Sequence, residues 1–341
     1  MVTSQKFTLS VLDQSPVRDG GTAAEALRDT IALAEATEKL GYKRFWVAEH
    51  HSLPGFAGTS PEIMVGQIAA RTKTIRVGSG GVMLSHYSAF KVAEVFRMLE
   101  YLYPGRIDLG IGRAPGSDPR TAAALSYPSP AKDINRFPEQ VDDVIAYLHD
   151  SHESEHPFAA VRVGPTASET APEVWLLGSG IDSAYMAAER GLPFSYAHFF
   201  GAGTEHGPRI AEAYRQRFRP SQFLVEPLVN VAVHVVCAET EKEAKRLAAS
   251  RNLVRLNIVR GRRRGVPTPE EALAYPYSPE EEAYLEQFSR VNIDGTPEQV
   301  KEQLETIAEL YQTTDLTVVT IVYDFAKKIR SYELVAEVCG L

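Results

Sequence analysis

Along nearly the whole chain, short apolar runs alternate with stretches in which apolar residues recur every three to four positions. The first pattern predicts buried strands, and the second predicts helices that pack by one face. Residues 7–12 read as a first strand. Ala24, Leu27, Ile31, Ala34 and Leu40 then share a helical face that Gly41 ends, and residues 42–48 read as the second strand. A helix over 60–71 carries Pro61 in its first turn, where a missing N–H is harmless. Residues 75–78 give a third strand, 88–102 a helix, and 106–111 a fourth strand entered through the Pro104-Gly105 turn. After a loop over 114–130 and a helix from 138 to 149, residues 152–172 look irregular. Strands five to eight follow at 174–177, 194–197, 230–237 and 316–322, with helices over 239–255 and 297–311 in the later part.

Strands alternating with helices predict a mostly parallel sheet. Eight of them over 341 residues suit one closed (β/α)8 TIM barrel spanning 1–341 better than a doubly wound open sheet. Residues 260–290 break the alternation with Arg262-Arg263-Arg264, several prolines and Glu280-Glu281-Glu282. They are too long for an ordinary connection and follow the seventh strand, so they read either as an inserted mobile lid over the site or as a solvated surface excursion.

Composition narrows the function classes. With 44% hydrophobic residues the chain has an ample core, and its net charge of −8 leaves no global basic field to hold nucleic acid or an anionic membrane. The start of the chain lacks a charged leader with an apolar run, and no segment approaches a membrane span, which gives a cytoplasmic expectation. Cys237 and Cys339 are the only cysteines and lie far apart, against a disulfide scaffold or a thiolate metal cluster. Redox chemistry therefore needs a cofactor.

In such a barrel, ligands sit at the C-terminal ends of the strands. The residues there are Asp13-Gln14-Ser15, Glu49-His50-His51, Gly80-Gly81, Arg113, Gly178-Ser179-Gly180 and His198. Neighbouring side chains on extended backbone point to opposite faces, so Glu49, His50 and His51 do not all grip one ion, and no metal site is expected. One of the two histidines aimed into the mouth would handle a proton; otherwise both satisfy backbone carbonyls. The run Gly178-Ser179-Gly180-Ile181-Asp182-Ser183 is similar to a dinucleotide fingerprint, but the last glycine is a serine and the ribose-binding acid is missing. It fits a mononucleotide phosphate held by helix-start amides and the hydroxyls of Ser179 and Ser183, or an ordinary serine cap. Gly80-Gly81 admits a planar ring against bare backbone, or is a plain turn. Arg113 offers a fixed charge and a planar fork to a phosphate or ring, or else forms a surface ion pair.

Four segments together resemble the bacterial luciferase-like flavin monooxygenases: Phe45-Trp46-Val47-Ala48-Glu49-His50-His51, residues 75–86 around Gly78-Ser79-Gly80-Gly81, Gly105-Arg106-Ile107-Asp108-Leu109-Gly110-Ile111-Gly112-Arg113, and Asp294-Gly295-Thr296-Pro297-Glu298-Gln299-Val300. The resemblance covers nearly the whole chain. It implies a barrel that binds reduced FMN, activates O2 as a C4a-hydroperoxide and oxidises a small organic substrate. It also implies a separate NAD(P)H-flavin reductase as the source of reduced flavin, and a homodimer. By the same resemblance His50 matches the catalytic histidine and Arg113 a flavin-contacting arginine. Gly80-Gly81 matches a segment that often holds a non-prolyl cis peptide beneath the flavin ring. Ser179, Gly180 and Ser183 match the phosphate-binding turn, Arg136 a further phosphate ligand, and residues 260–290 the lid. Light-emitting members have a reactive cysteine just before the arginine; here that position is Gly112, which argues against luminescence. Three alternatives stay open: hydride transfer with the deazaflavin F420, a flavin-binding protein without catalysis, and a zinc hydrolase built on His50, His51 and His86.

Overall fold

The computed structural model describes residues 6–341 apart from 115, 117, 130–132, 165–168 and 202, so the first five residues of the leader reading lie outside it. Eight parallel strands close into a barrel. They are β1 (Thr8–Asp13), β2 (Arg44–Val47), β3 (Arg76–Met83), β4 (Ile107–Gly112), β5 (Glu173–Gly178), β6 (Phe194–Ala197), β7 (Val229–Cys237) and β9 (Asp315–Val319). Neighbours run β6-β5-β4-β3-β2-β1-β9-β7, and β6 pairs with β7 to close the ring, which is the (β/α)8 TIM barrel expected. A short β8 (Ile293–Gly295) adds to the far end of β7, pairing Val235 with Ile293 where the ladder to β9 has ended at His234. The sequence pattern did not mark it, because three residues are too few to show a period.

Alternation along each strand separates two cores. Phe45 and Val47 point outward into the large cluster shared with the helices, whereas Trp46 and Ala48 point into the barrel with Leu12, Trp175, Ala197, Ala232 and Val319. Trp46 and Trp175 meet edge to face at 5.2 Å. Each indole donates to a carboxylate: Trp46 Nε1 to Asp108 Oδ2 at 2.9 Å and Trp175 Nε1 to Glu173 Oε1 at 2.7 Å. Arg44 and Arg76 pair with Asp108 and Glu173, so the end of the barrel remote from the strand C-termini is plugged by a charged cluster. Strands β3 and β4 approach so closely that a Cβ on Gly110 would sit 2.1 Å from the Ser79 carbonyl oxygen.

The helices follow the pattern in α1 (Ala23–Lys39), α2 (Pro61–Arg71), α3 (Ala89–Leu102), α5 (Phe137–His149), α6 (Ile181–Glu189), α8 (Glu241–Val259) and α11 (Pro297–Tyr311), and a closing α12 (Phe325–Cys339), which the reading of the sequence did not mark, follows the last strand. Capping sets several starts: Thr22 and Glu25 form a reciprocal capping box at α1, as Thr296 and Gln299 do at α11. A further helix, α7 (Gly207–Arg217), lies between β6 and β7.

One loop reading is corrected. Within 114–130, α4 (Pro119–Ser126) starts where the Asp118 carboxylate accepts from the amides of Arg120 and Thr121. Residues 260–290, where the alternation breaks, contain α9 (Pro269–Ala274) and α10 (Pro279–Ser289), each opened by a capping box with proline at the first helical position. Ala272, Tyr284 and Leu285 of this pair, with Tyr277 from the link between them, pack on Ala249, Leu253 and Leu256 of α8. Ahead of them a strap crosses two barrel loops. Val266 donates its amide to Val17 O at 2.7 Å, Arg264 pairs with Asp19 at 2.7 Å, and Arg263 donates to Ser52 O at 2.8 Å. Residues 152–164 and 169–172 carry neither helix nor strand, as expected. Among the described residues no helix is long and apolar enough to cross a membrane.

Candidate functional site

At the C-terminal mouth of the barrel lies a cavity of about 430 Å³. Strand ends β1 to β6 feed it, and it gathers six of the residues singled out from sequence: Gly80, Gly81, Arg113, Ser179, Gly180 and Ser183. Its floor is apolar, from Leu12, Trp46 and Leu177. The Gly80–Gly81 peptide is cis, as the resemblance implies. Both glycines are required first by the chain itself: a Cβ on Gly80 would lie 2.5 Å from Leu12 Cδ1, and one on Gly81 would lie 2.6 Å from Gly110 O. The bare backbone at this mouth is therefore a packing necessity that also leaves a flat surface.

The other wall is the start of α6. Gly180 is its N-cap and supplies no side-chain acceptor, so the first-turn N–H groups keep their capacity for an anion. Ser183 is buried behind that turn, and the turn is tight: a Cβ on Gly178 would lie 2.6 Å from Ser183 Oγ. Arg113 is half-exposed and rests on Asp182 at 3.3 Å, so an incoming phosphate competes with that carboxylate for it.

Two predicted residues lie elsewhere. Arg136 is exposed, pairs with Glu139 at 2.9 Å and faces a separate depression beside Asp133 and Asp143. His50 lines a smaller adjoining cavity of about 150 Å³, which shares the walls Phe199 and Phe200 with the main one. Its ring stacks on Phe56 at 4.9 Å, and its Nδ1 is buried without a partner among the described residues. Burial pushes its pKa down to about 4, with the neighbouring His51 adding to the effect, so the ring is neutral at neutral pH. His198, also read as a mouth residue, turns instead to Tyr311, whose hydroxyl lies 2.8 Å from its Nδ1, in a cavity beside α10 and α11.

Sequence reasoning missed two contributors, Tyr87 and His234, and the part that Glu49 plays at the mouth. Glu49 is buried and ties the ends of β2 and β3 together: one oxygen sits 2.6 Å from His51 Nε2 and accepts from the Tyr87 hydroxyl at 2.7 Å, while the other accepts from the Met83 amide at 2.9 Å. That network commits His51 to structure. Tyr87 carried no signal, since it reaches the site only through the turn after β3. His234 on β7 lines the His50 cavity and is pushed down to about 3 by burial and by Arg251, but inside an apolar strand it read as ordinary core.

Neutral burial of these rings has a consequence for acid stability. His50 and His198, both at about 4, and His234, at about 3, take up protons more readily in the unfolded chain, where a free histidine titrates near 6.5. Their contribution is complete above about pH 6.5 and is lost as pH falls toward 4, at up to about 1.4 kcal/mol per pH unit for each ring. Urea midpoints are expected to drop clearly between about pH 7 and about pH 5, and equal midpoints would show that the rings are not held neutral.

Away from these cavities, Asp143, His152 and His156 bring possible ligand atoms within 4.8 Å of one another. His156 Nδ1 accepts the Phe158 amide at 3.2 Å and its Nε2 lies 3.3 Å from Asp143, whereas His152 stacks on His156 and its buried Nε2 has no hydrogen-bond partner among the described residues.

Comparison with known proteins finds matches over nearly the whole chain. The family described as luciferase-like monooxygenase matches residues 7–314. A luciferase-like monooxygenase of Escherichia coli is 35% identical, covering 99% of this chain and 98% of its own. An N-acetyl-S-alkylcysteine monooxygenase of Bacillus subtilis is 36% identical over 96% and 97% of the two chains. The crystal structure of apo-MsnO8 superposes with a TM-score of 0.89 at 39% identity, covering 98% of this chain and 99% of that one. More distant structures share the fold alone: a type II Baeyer–Villiger monooxygenase in complex with FMN at 20% identity, and an F420-dependent tetrahydromethanopterin reductase at 14%.

Proposed function

The chain belongs to the luciferase-like monooxygenase family, and from that premise we propose that it binds reduced FMN in the mouth cavity and uses O2 to oxidise a small organic substrate. The observation that carries this reading is the pairing, in one cavity of about 430 Å³, of a flat glycine floor over Trp46 and Leu12 with an uncapped helix start at Gly180. The residues fit the group: Ser179, Gly180 and Ser183 with the α6 amides would hold the phosphate, Arg113 would leave Asp182 for it, and the apolar floor would take the ring. Reduced flavin supplies the electrons that activate O2, and oxygen activation by the route the resemblance implies is part of the proposal.

The protein's own part is positioning and proton handling. Phe199 and Phe200 stand between flavin cavity and His50 cavity, so a substrate in the latter meets the reactive face at that wall. His50, neutral and with an unpartnered Nδ1, accepts or returns a proton on that substrate. The strap and helices of 260–290 act as the cover that excludes water. Supply of reduced flavin by a separate NAD(P)H-flavin reductase, a homodimeric assembly and a cytoplasmic setting belong to the same reading.

Anaerobic titration with photoreduced FMN tests it. One equivalent is expected to bind, with riboflavin at least tenfold weaker because it lacks the phosphate; Ser179→Asp should remove that preference by placing a carboxylate at the phosphate position. Equal affinity for FMN and riboflavin in the unmodified protein would refute the phosphate site, and selective binding of F420 would move the chain to hydride transfer.

A further inference from the structure

The His50 cavity is walled by aromatic and aliphatic side chains, among them Phe56, Phe199, Phe288 and Ile321, and two arginines reach it. Their situations differ. Arg251 is fully buried and neutralised, its Nη1 and Nη2 each 2.7 Å from a different oxygen of Asp294. Arg255, one turn further along α8, has no carboxylate within ion-pair distance among the described residues. Its Nε donates to the Tyr284 hydroxyl at 2.8 Å and its Nη2 to Phe200 O at 3.0 Å, both uncharged acceptors, and its guanidinium stands 5.4 Å over the Phe288 ring. Five N–H donors serve two protein acceptors, so three remain for something else.

The charge balance of the cavity follows. The Arg251–Asp294 pair cancels, and His50 and His234 are neutral, so Arg255 leaves one uncompensated positive charge inside an otherwise apolar chamber. A half-buried guanidinium held by neutral groups, with its fork partly free, suits a carboxylate: the geometry is bidentate and the surroundings strengthen the attraction. We propose that the His50 cavity binds an organic acid with an apolar body, its carboxylate read by Arg255 and its body laid against Phe199 and Phe200 toward the flavin cavity. This rests on the flavin reading only for what occupies the neighbouring cavity; the acid-binding site itself stands on the His50 cavity and the unpaired arginine. Tyr284 and Phe288 belong to α10, so the segment after β7 supplies two of the groups that hold the arginine in place.

Three matched pairs test it by calorimetry on the full chain without flavin: N-acetyl-S-ethylcysteine, phenylacetate and 4-phenylbutanoate, each against its own carboxamide. At least one acid is expected to bind tenfold or more tightly than its amide. Arg255→Gln should abolish that preference, while Arg255→Lys, which keeps the charge but not the fork, retains part of it. FMN affinity is measured on the same samples. Acids and amides that bind alike, or no binding by any acid, would overturn the proposal even if FMN binds. Acid preference with no FMN binding would leave the site standing and sink the flavin reading. If Arg255→Gln and Arg255→Lys weaken acid and amide equally, the arginine serves only to hold Phe200 and Tyr284, and the carboxylate role is wrong.

Discussion

Replacing His50 by Asn is expected to slow product formation from reduced flavin, O2 and the organic substrate by roughly a hundredfold to ten-thousandfold, the usual worth of a positioned proton acceptor. Flavin affinity should hardly change, because His50 does not line the flavin cavity. Asn keeps a polar side chain of similar reach against Phe56 but does not take up a proton near neutral pH. Lost product should reappear as hydrogen peroxide, since reduced flavin still reacts with O2. The unmodified protein should lose activity as pH falls toward about 4, where the ring becomes charged, and the variant should lack that limb. Stopped-flow oxidation with peroxide and product quantified together is the measurement. An unchanged ratio of product to peroxide would show that the imidazole handles no proton and serves only to wall the cavity.

A second large effect is expected far from any ligand. Lys328 on α12 and Asp13 at the end of β1 form an ion pair that is almost wholly withdrawn from solvent. The other oxygen of Asp13 accepts from the Ser15 amide and the Thr30 hydroxyl, each at 2.8 Å, and so fixes the turn at Ser15, whose φ of 49° is unusual for a side-chain-bearing residue. Lys328→Met keeps the apolar stem but leaves the carboxylate buried without a countercharge, at a cost of about 3–5 kcal/mol. The urea midpoint should fall with an unchanged m-value. Adding Asp13→Asn should restore part of the loss, because the amide still accepts from Ser15 and Thr30 without a charge to solvate. Stability within about 0.5 kcal/mol of the parent for Lys328→Met would mean that water reaches the pair, and the buried-pair account would fail.

The barrel was legible because its signals are local. A four-residue apolar run between turn residues shows its strand wherever the chain later goes, and the position after each strand then identified Gly80, Gly81, Arg113, Ser179, Gly180 and Ser183 as neighbours across more than a hundred residues. What failed was of two kinds. In 260–290, prolines and charge were read only as a break in the alternation, although Thr268-Pro269-Glu270-Glu271 and Ser278-Pro279-Glu280-Glu281 are helix starts in which those same residues are capping groups. The second kind is not local at all. Whether His50 opens on the mouth cavity or behind Phe199 depends on the loop after β6, and the direction of Arg136 depends on Glu139 competing for it. Arg255 was invisible for a related reason: an arginine on a helix looks the same whether or not a carboxylate meets it.

The glycine contacts between β3 and β4 divide the protein into parts that can and cannot drift. A methyl group at Gly78 would stand 2.4 Å from Asp108 O, and at Gly110 it would stand 2.1 Å from Ser79 O, both backbone atoms held in the barrel wall. No neighbouring side chain can swing aside to relieve such a clash, so every single step away from glycine there is blocked at once. The His50 chamber is built the opposite way, from side chains on several separate elements, where a neighbouring side chain can shift to meet a replacement. Single replacements can thus reshape the His50 chamber in descendants of this chain, while the β3–β4 wall passes on intact.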